Sequence, residues 1–425
     1  MRVESVRFPN RQDGIFLIIA ALAMLGVLGV FLVASFAAGS PKISRDAVTV
    51  AAIAKAKAAL IAYTVARDDP GRPGEFPCPT TVATTSATYG TSAGACATIR
   101  IGRLPWRTLG IQELVDGAGE PLWYSVSTNF RPPVIGNPNI NTDKLGTLTA
   151  YSSDGTTTLA TQIVAVIFSP GSPVGAQNRS SSSTFCTTTS TTIARNICAA
   201  NYLESSNGRN NATNAGPYIA GAFGGAFNDQ IAYITTDDFM PKIEGRIISI
   251  LSNTLNNYYA VNGYYPYAAN NADATSANLN CAGGIFSGRL PRFIAAPPGP
   301  ASGLPCTGVA DWQPVGNPFG LPAWFTTNNW NSAIHFVVGQ AYQKGGSKTC
   351  VVAGDCLTVG TDTSIQALFI LPGTPLSGIS RPSTLAADYL ETVENLNDFP
   401  TPTNYVYATS LSTLPSGDRV VALKN

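Results

Sequence analysis

Between Ile15 and Ala38 the chain carries 24 consecutive uncharged, mostly apolar residues, preceded by a polar leader that ends in Asp13-Gly14. As a helix this run measures about 36 Å at 1.5 Å per residue, enough to cross a hydrocarbon layer of about 30 Å. It outruns the apolar stretch of about 7 to 15 residues that marks a secretory signal, although Ser35-Phe36-Ala37 offers the small residues of a cleavage site. Arg2, Arg7 and Arg11 precede the run, and positive charge ahead of a first span holds the N-terminus in the cytoplasm. Everything after Ala38 is thereby expected on the far side of the membrane.

Beyond Pro41, which interrupts the run, the pattern takes a helical period. Ser44 offers an N-cap, and Ala52, Ile53, Ala56, Ala59, Leu60 and Tyr63 recur as one stripe, with Lys55 opposite and Lys57 at its edge. Asp68, Asp69, Pro70 and Gly71 stop this helix. Gly117 and Gly119 then suit a tight turn, after which Leu122, Tyr124 and Val126 alternate as one strand face. Residues 161–171, apolar and closed by Pro-Gly, predict a buried strand, and 229–239 predict a third. A second helical stripe follows at Ile243, Ile247, Ile250, Leu251, Leu255 and Tyr258, with Asp238 and Pro241 in its first turn. Helix first, then antiparallel strands, is an α+β layer.

The plan occurs twice. GRLP at 102–105 returns at 288–291, IVAVIFSPGSP (163–173) returns as IQALFILPGTP (365–375), and NYLE (201–204) returns as DYLE (388–391), in the same order. This internal repetition predicts two units with a boundary near Thr236, the second without a membrane segment.

Composition narrows the functions. Only 12% of residues are charged and the net charge is +1, so neither nucleic acid nor a strongly charged partner is indicated. Eight cysteines lie in four neighbouring couples: Cys78 with Cys96, Cys186 with Cys198, Cys281 with Cys306, and Cys350 with Cys356. None forms a CxxC metal motif; behind a membrane segment they predict disulfides in an oxidising compartment, locally paired, though spacing alone leaves the connectivity open. Gly90-Thr91-Ser92-Ala93-Gly94 matches a hydrolase GxSxG but lies in a small-residue loop, and the single histidine, His335, falls in the other unit within a strand-like run. Residues 221–227, GAFGGAF, lack a phosphate loop's setting. No carboxylates show calcium-loop spacing, so structural calcium is neither assigned nor excluded. Trp312, Trp324 and Trp330, near Phe319 and Phe325, pack a core or form a surface aromatic patch for a sugar or another surface.

The junction RQDG/IFLII (11–19) resembles the leader of type IV prepilins and type II secretion pseudopilins, and GRLPWRTLGIQELVDGAGEPLWYSVS (102–127) is similar to a segment of large pilin-like proteins. The resemblance implies cleavage after Gly14, methylation of the new N-terminus at Ile15, and Phe16 and Ile19 packing in a filament stem. Ile19 stands where the family carries a glutamate at the fifth mature position; the K-type minor pseudopilin of the filament tip shares that loss. The implied organisation is a cytoplasmic leader (1–14), a transmembrane helix (15–38), a first pilin-like periplasmic head (44–235) and a second (236–425), each a helix packed on an antiparallel sheet. The implied function is that of a minor pilin or pseudopilin stored in the inner membrane and assembled into a pilus or secretion pseudopilus. Its partners would be other pilins, the prepilin peptidase and an inner-membrane assembly platform, with no cofactor and no catalysis. A membrane-anchored binding protein or adhesin that never assembles is the alternative, and a periplasmic hydrolase is the weakest reading.

Overall fold

The computed structural model describes residues 41–68, 71–132, 139–180, 186–188, 191–193, 197–221, 224–272, 278–279, 287–294, 306–307, 310–311, 321–352, 354–376, 378–390 and 417–424. Helix α1 spans Pro41–Ala66. Ser44 therefore lies inside the helix and is not its N-cap, because proline is compatible with a first helical turn, where its missing N–H has no intrahelical partner. Ala52, Ile53, Ala56 and Leu60 are buried, while Lys55 is exposed, as the stripe requires. Ser44–Ala66 is long and apolar enough to cross a membrane, and its buried stripe packs on a sheet. The span expected at 15–38 lies outside the described residues.

The architecture is mixed α+β, with several antiparallel sheets. In the first unit β1 (Ile101–Arg103), β2 (Trp123–Val126), β5 (Ala165–Ser169) and β7 (Gln230–Ile234) form an antiparallel sheet in the order β1-β2-β5-β7. One face meets α1 through Tyr124, Val126, Ala165 and Ile167. The other is covered by the hairpin β3 (Leu148–Tyr151) and β4 (Thr158–Ile163), with β6 (Tyr218–Ile219) alongside β3. Burial on both faces explains why β5 reads as an unbroken apolar run and not as an alternation.

The second unit repeats this arrangement. Helix α2 (Met240–Asn262) is followed by β8 (Ser287–Arg289), β9 (His335–Val338), β12 (Ala367–Leu371) and β13 (Arg419–Leu423), again antiparallel in the order β8-β9-β12-β13. The hairpin β10 (Leu357–Val359) and β11 (Asp362–Ile365) backs this sheet. The registers coincide. Arg103 faces Trp123, which faces Phe168, as Arg289 faces His335, which faces Ile370. Arg103 exchanges backbone bonds with Thr80 as Arg289 does with Ala269. Asp238, expected in the first turn of α2, instead closes a capping box with Thr235 around the preceding 3-10 turn Thr236–Asp238.

Both units share one continuous hydrophobic core. Lys57 pairs with Asp238 at 2.8 Å, and Arg246 donates to the carbonyls of Val65 (3.3 Å) and Arg67 (2.6 Å). Eight residues forward along α1, from Lys57 to Val65, match eight forward from Asp238, just before α2, to Arg246 within it, so α2 runs beside the end of α1 in the same direction. From residue 246 to its end at 262, sixteen steps, it runs about 24 Å further. Phe239 leads into α2 and rests on the first unit's Phe76 and Phe130, with ring centroids at 5.2 and 5.8 Å. Asn328 is fully buried; its Oδ1 accepts from Arg72 Nη1 (3.2 Å) and Ile140 N (3.0 Å), and its carbonyl accepts from Asn141 (3.0 Å). Arg72 in turn joins Arg67 on the buried carboxylate of Glu75.

A core shared in this way should unfold as one. Phe239→Ala is expected to cost about 3–5 kcal/mol, and Asn328→Ala, which orphans buried donors, about 2–3 kcal/mol. In urea titrations each should shift a single transition followed by both far-UV circular dichroism and tryptophan emission. Two separate transitions in the parent protein would contradict the shared core.

Candidate functional site

The three repeated sequence landmarks converge in space, once in each unit. In the first, the guanidinium of Arg103 (from GRLP) lies 5.1 Å from the ring centre of Tyr202 (from NYLE) and donates to its hydroxyl at 2.9 Å. Arg179 covers the same ring at 4.7 Å and donates to the carbonyls of Gly171 (2.6 Å), Asn201 (2.9 Å) and Tyr202 (3.3 Å). In the second unit Arg289 and Arg381 lie 5.1 and 4.7 Å from the ring centre of Tyr389. Arg381 donates to the carbonyls of Gly373 (2.7 Å), Asp388 and Tyr389 (3.3 Å). A planar fork of donors and a cation over an aromatic face are both properties of arginine.

Arg179 and Arg381 were not singled out by the repeat landmarks, yet a signal was present. Pro170-Gly171-Ser172-Pro173 precedes Arg179 by the same five residues that separate Pro372-Gly373-Thr374-Pro375 from Arg381.

The second clamp bears on His335, the counterpart of Trp123. Trp123 lies 5.0 Å from Tyr202, and His335 lies 5.4 Å from Tyr389, centre to centre. Full burial, helped by Arg289 and Arg381, pushes the imidazole down to about 3, so it is neutral and serves as a core ring. Ser92 Oγ donates to the carbonyl of Ala93, at 3.0 Å, and His335 packs among the second clamp's residues. Nothing here couples them as nucleophile and base. Near this clamp lies Asp143, in a cavity of about 180 Å³ between the units with Asn141, Lys144, Asn329 and Ser332. Burial pushes its carboxyl up to about 6 against the pull of Arg381, Lys144 and Arg289. Asp229 is held well above the usual range by burial and by the neighbouring Glu204; the two interlock through Glu204 N to Asp229 (2.8 Å) and Asp229 N to Glu204 (3.0 Å).

Among the described residues two open surfaces involve α1. The outer face of α1 presents Ala51, Ala54, Ala58, Ala62 and Ala66, and a groove of about 430 Å³ runs along it to Lys242 of α2, lined also by Ile61 and Val65. A cleft of about 490 Å³ lies at the start of α1 between Arg45, Thr49, Asp116 and Asn228. Its Asp116 is engaged by Ala118 N, Glu120 N, Ser169 Oγ and Gly171 N, at 2.8 to 3.0 Å, so this carboxylate secures a turn. The turn lies so close to α1 that a Cβ on Gly117 would meet the Arg45 carbonyl at 2.1 Å.

Of the site residues expected from sequence, Gly14, Ile15, Phe16 and Ile19 lie outside the described residues. Cys78–Cys96 and Cys350–Cys356 are bridged, and Cys198 is also disulfide-bonded. The couple Cys281 and Cys306 and the side chain of Cys186 fall outside the described side chains, as does Trp312. A surface patch of tryptophans does not form at the other two positions. Trp324 and Trp330 are 2% and 1% exposed, drawn into the shared core, where Trp324 Nε1 donates to Asp68 of the first unit at 2.7 Å. Among the described residues no three His, Cys, Asp or Glu side chains converge on a metal position.

Compared with family models, curated proteins and solved structures, the chain matches none.

Replacing Arg179 or Arg381 by Lys should cost about 2 kcal/mol in either unit, since one ammonium cannot serve three carbonyls in a plane; urea unfolding measures it, and unchanged midpoints would exclude a structural clamp. Asp143 yields a pH signature. Its folded pKa lies above the unfolded value, so the ionised form costs stability above pH 6 and that cost is relieved as the pH falls from 6 towards 4. Asp143→Asn should therefore raise stability at pH 7.5, by on the order of 1 kcal/mol for this partly shielded group. The gain should vanish near pH 4 in thermal melts.

Proposed function

We propose that this chain is a minor pilin or pseudopilin: a subunit stored in the inner membrane, with both units in the periplasm, that assembles at the tip of a type IV pilus or type II secretion pseudopilus. The observation that carries this is the junction at Gly14 and Ile15, a basic leader followed abruptly by an apolar run that leads towards α1. The helix-on-sheet arrangement of each unit and the alanine face left open on α1 support it. Small residues let helices approach closely, as packing beside other subunits of a stem would require. The two units are then two tandem pilin-like heads. Ile19 favours the tip, because a subunit without a charge at that position leaves no buried carboxylate awaiting a partner.

Processing tests the proposal. N-terminal sequencing of the mature protein should begin at Ile15, with a methylated amine, and Gly14→Val should accumulate an uncut, membrane-bound precursor because the added branch blocks a pocket sized for glycine. A mature N-terminus at Met1 or Ala38 would reject assembly and leave the anchored binding protein or adhesin as the better account.

A further inference from the structure

We infer that the end of the second unit formed by the last turn of α2 and the Cys350–Cys356 loop is a contact surface for an anionic lipid bilayer. Among the described residues the three most exposed large hydrophobic side chains are Val351 (80%), Val261 (70%) and Val352 (68%). All three belong to this end. Val261 lies in the last turn of α2, and the chain leaving α2 binds the segment before the Cys350–Cys356 loop, with Tyr265 N donating to the Tyr342 carbonyl at 2.9 Å.

The two loop valines are held out by construction. The disulfide closes their loop, and Asp355 accepts from Val351 N (3.1 Å) and Val352 N (2.8 Å), so neither side chain can fold back cheaply. Beside them Lys348 lies 5.6 Å from the ring centre of half-buried Tyr264, and Lys344 is exposed. Protruding aliphatic side chains, a tyrosine at their base and flanking lysines form the pattern that inserts at a lipid interface and meets anionic headgroups.

Another unit of the same kind is a poor occupant of this end. On the first unit the aromatic pair Phe76 and Phe130 is linked by a 2.7 Å backbone bond and receives Phe239 from the following unit. The equivalent pair here, Tyr265 and Tyr342, already receives Tyr259 of its own helix, at 4.8 and 6.1 Å. On α1 the carbonyl that accepts the turn glycine's N–H belongs to Thr64, too small to fill the place; on α2 it belongs to Tyr259. The slot that joins the first unit to the second is thus closed on the second. A specific protein interface needs roughly 800 Å² per partner, whereas a bilayer requires only that the valines insert.

The inference rests on the reading that residues 15–38 anchor the chain. The full-length protein is reconstituted into donor vesicles, its integration is checked by resistance to alkaline extraction, and capture of acceptor vesicles of phosphatidylcholine with or without phosphatidylglycerol is measured. Capture of the anionic vesicles is expected. It should fall at least fivefold with Val351→Ser/Val352→Ser, by a smaller factor with Val261→Ser, and to the level of neutral vesicles with Lys344→Glu/Lys348→Glu. A chain that fails to integrate would reject the anchor separately, and flotation with the same acceptor vesicles then reads the same variants directly. Integration without capture, or capture indifferent to the valines with the fold intact by circular dichroism, would overturn the inference. So would clustering of donor vesicles alone that depends on the valines, which would assign this end to a second copy of the chain.

Discussion

A tyrosine ring between two arginines organises each unit. Every buried backbone group must find a partner, and the carbonyls of Tyr202, Gly373 and Tyr389 belong to buried residues. One guanidinium in each unit gathers three carbonyls, these among them, while the second arginine pins the ring from the edge strand. Without these forks the carbonyls of the buried residues Tyr202, Gly373 and Tyr389 would lose their guanidinium donors. The clamp also explains why GRLP, the Pro-Gly-Ser/Thr-Pro stretch and the Tyr-Leu-Glu stretch are the parts that persist in both units: they bond to one another. The intervening stretches, apart from the one arginine that each contributes to the clamp, differ in length.

The units are alike in plan and unlike where they meet the outside. The first receives a neighbour through Phe239; the second fills the corresponding place with Tyr259. The first unit's aromatic pair is therefore covered by the second unit, and the second's by its own helix. Parallel helices in staggered register produce this directly, because α2 starts beside the end of α1 and carries the second sheet onward. The buried Arg67–Glu75–Arg72 group and Asn328 tie the junction. A buried carboxylate is tolerable there because two guanidiniums pair with it and offset the cost of taking it out of water.

Histidine 335 illustrates how a neighbourhood decides chemistry. In isolation a single histidine invites a catalytic or metal role, yet its strand register is that of Trp123, and both rings lean on the clamp tyrosine. Two guanidiniums and complete burial leave it neutral. The same neighbourhood raises Asp143, whose burial outweighs the attraction of nearby cations. Neither residue type carries that information.

Features that depend on local period and on repetition are legible in the amino-acid sequence. They include the apolar stripe of α1, the stripe of α2, the buried strand β5 and the order of the repeated landmarks, because each is written within a window of a few turns or strand residues. The start of α1 is not legible in this way, since a proline reads equally as a break or as a first helical residue, and only the continuing chain distinguishes them. The tertiary structure alone decided that Trp324 and Trp330 enter a core built jointly with the first unit, and that two distant arginines share one ring. Those outcomes depend on contacts between residues tens to hundreds of positions apart. Their strength comes from burial and from paired polar groups, properties that no single stretch of chain possesses.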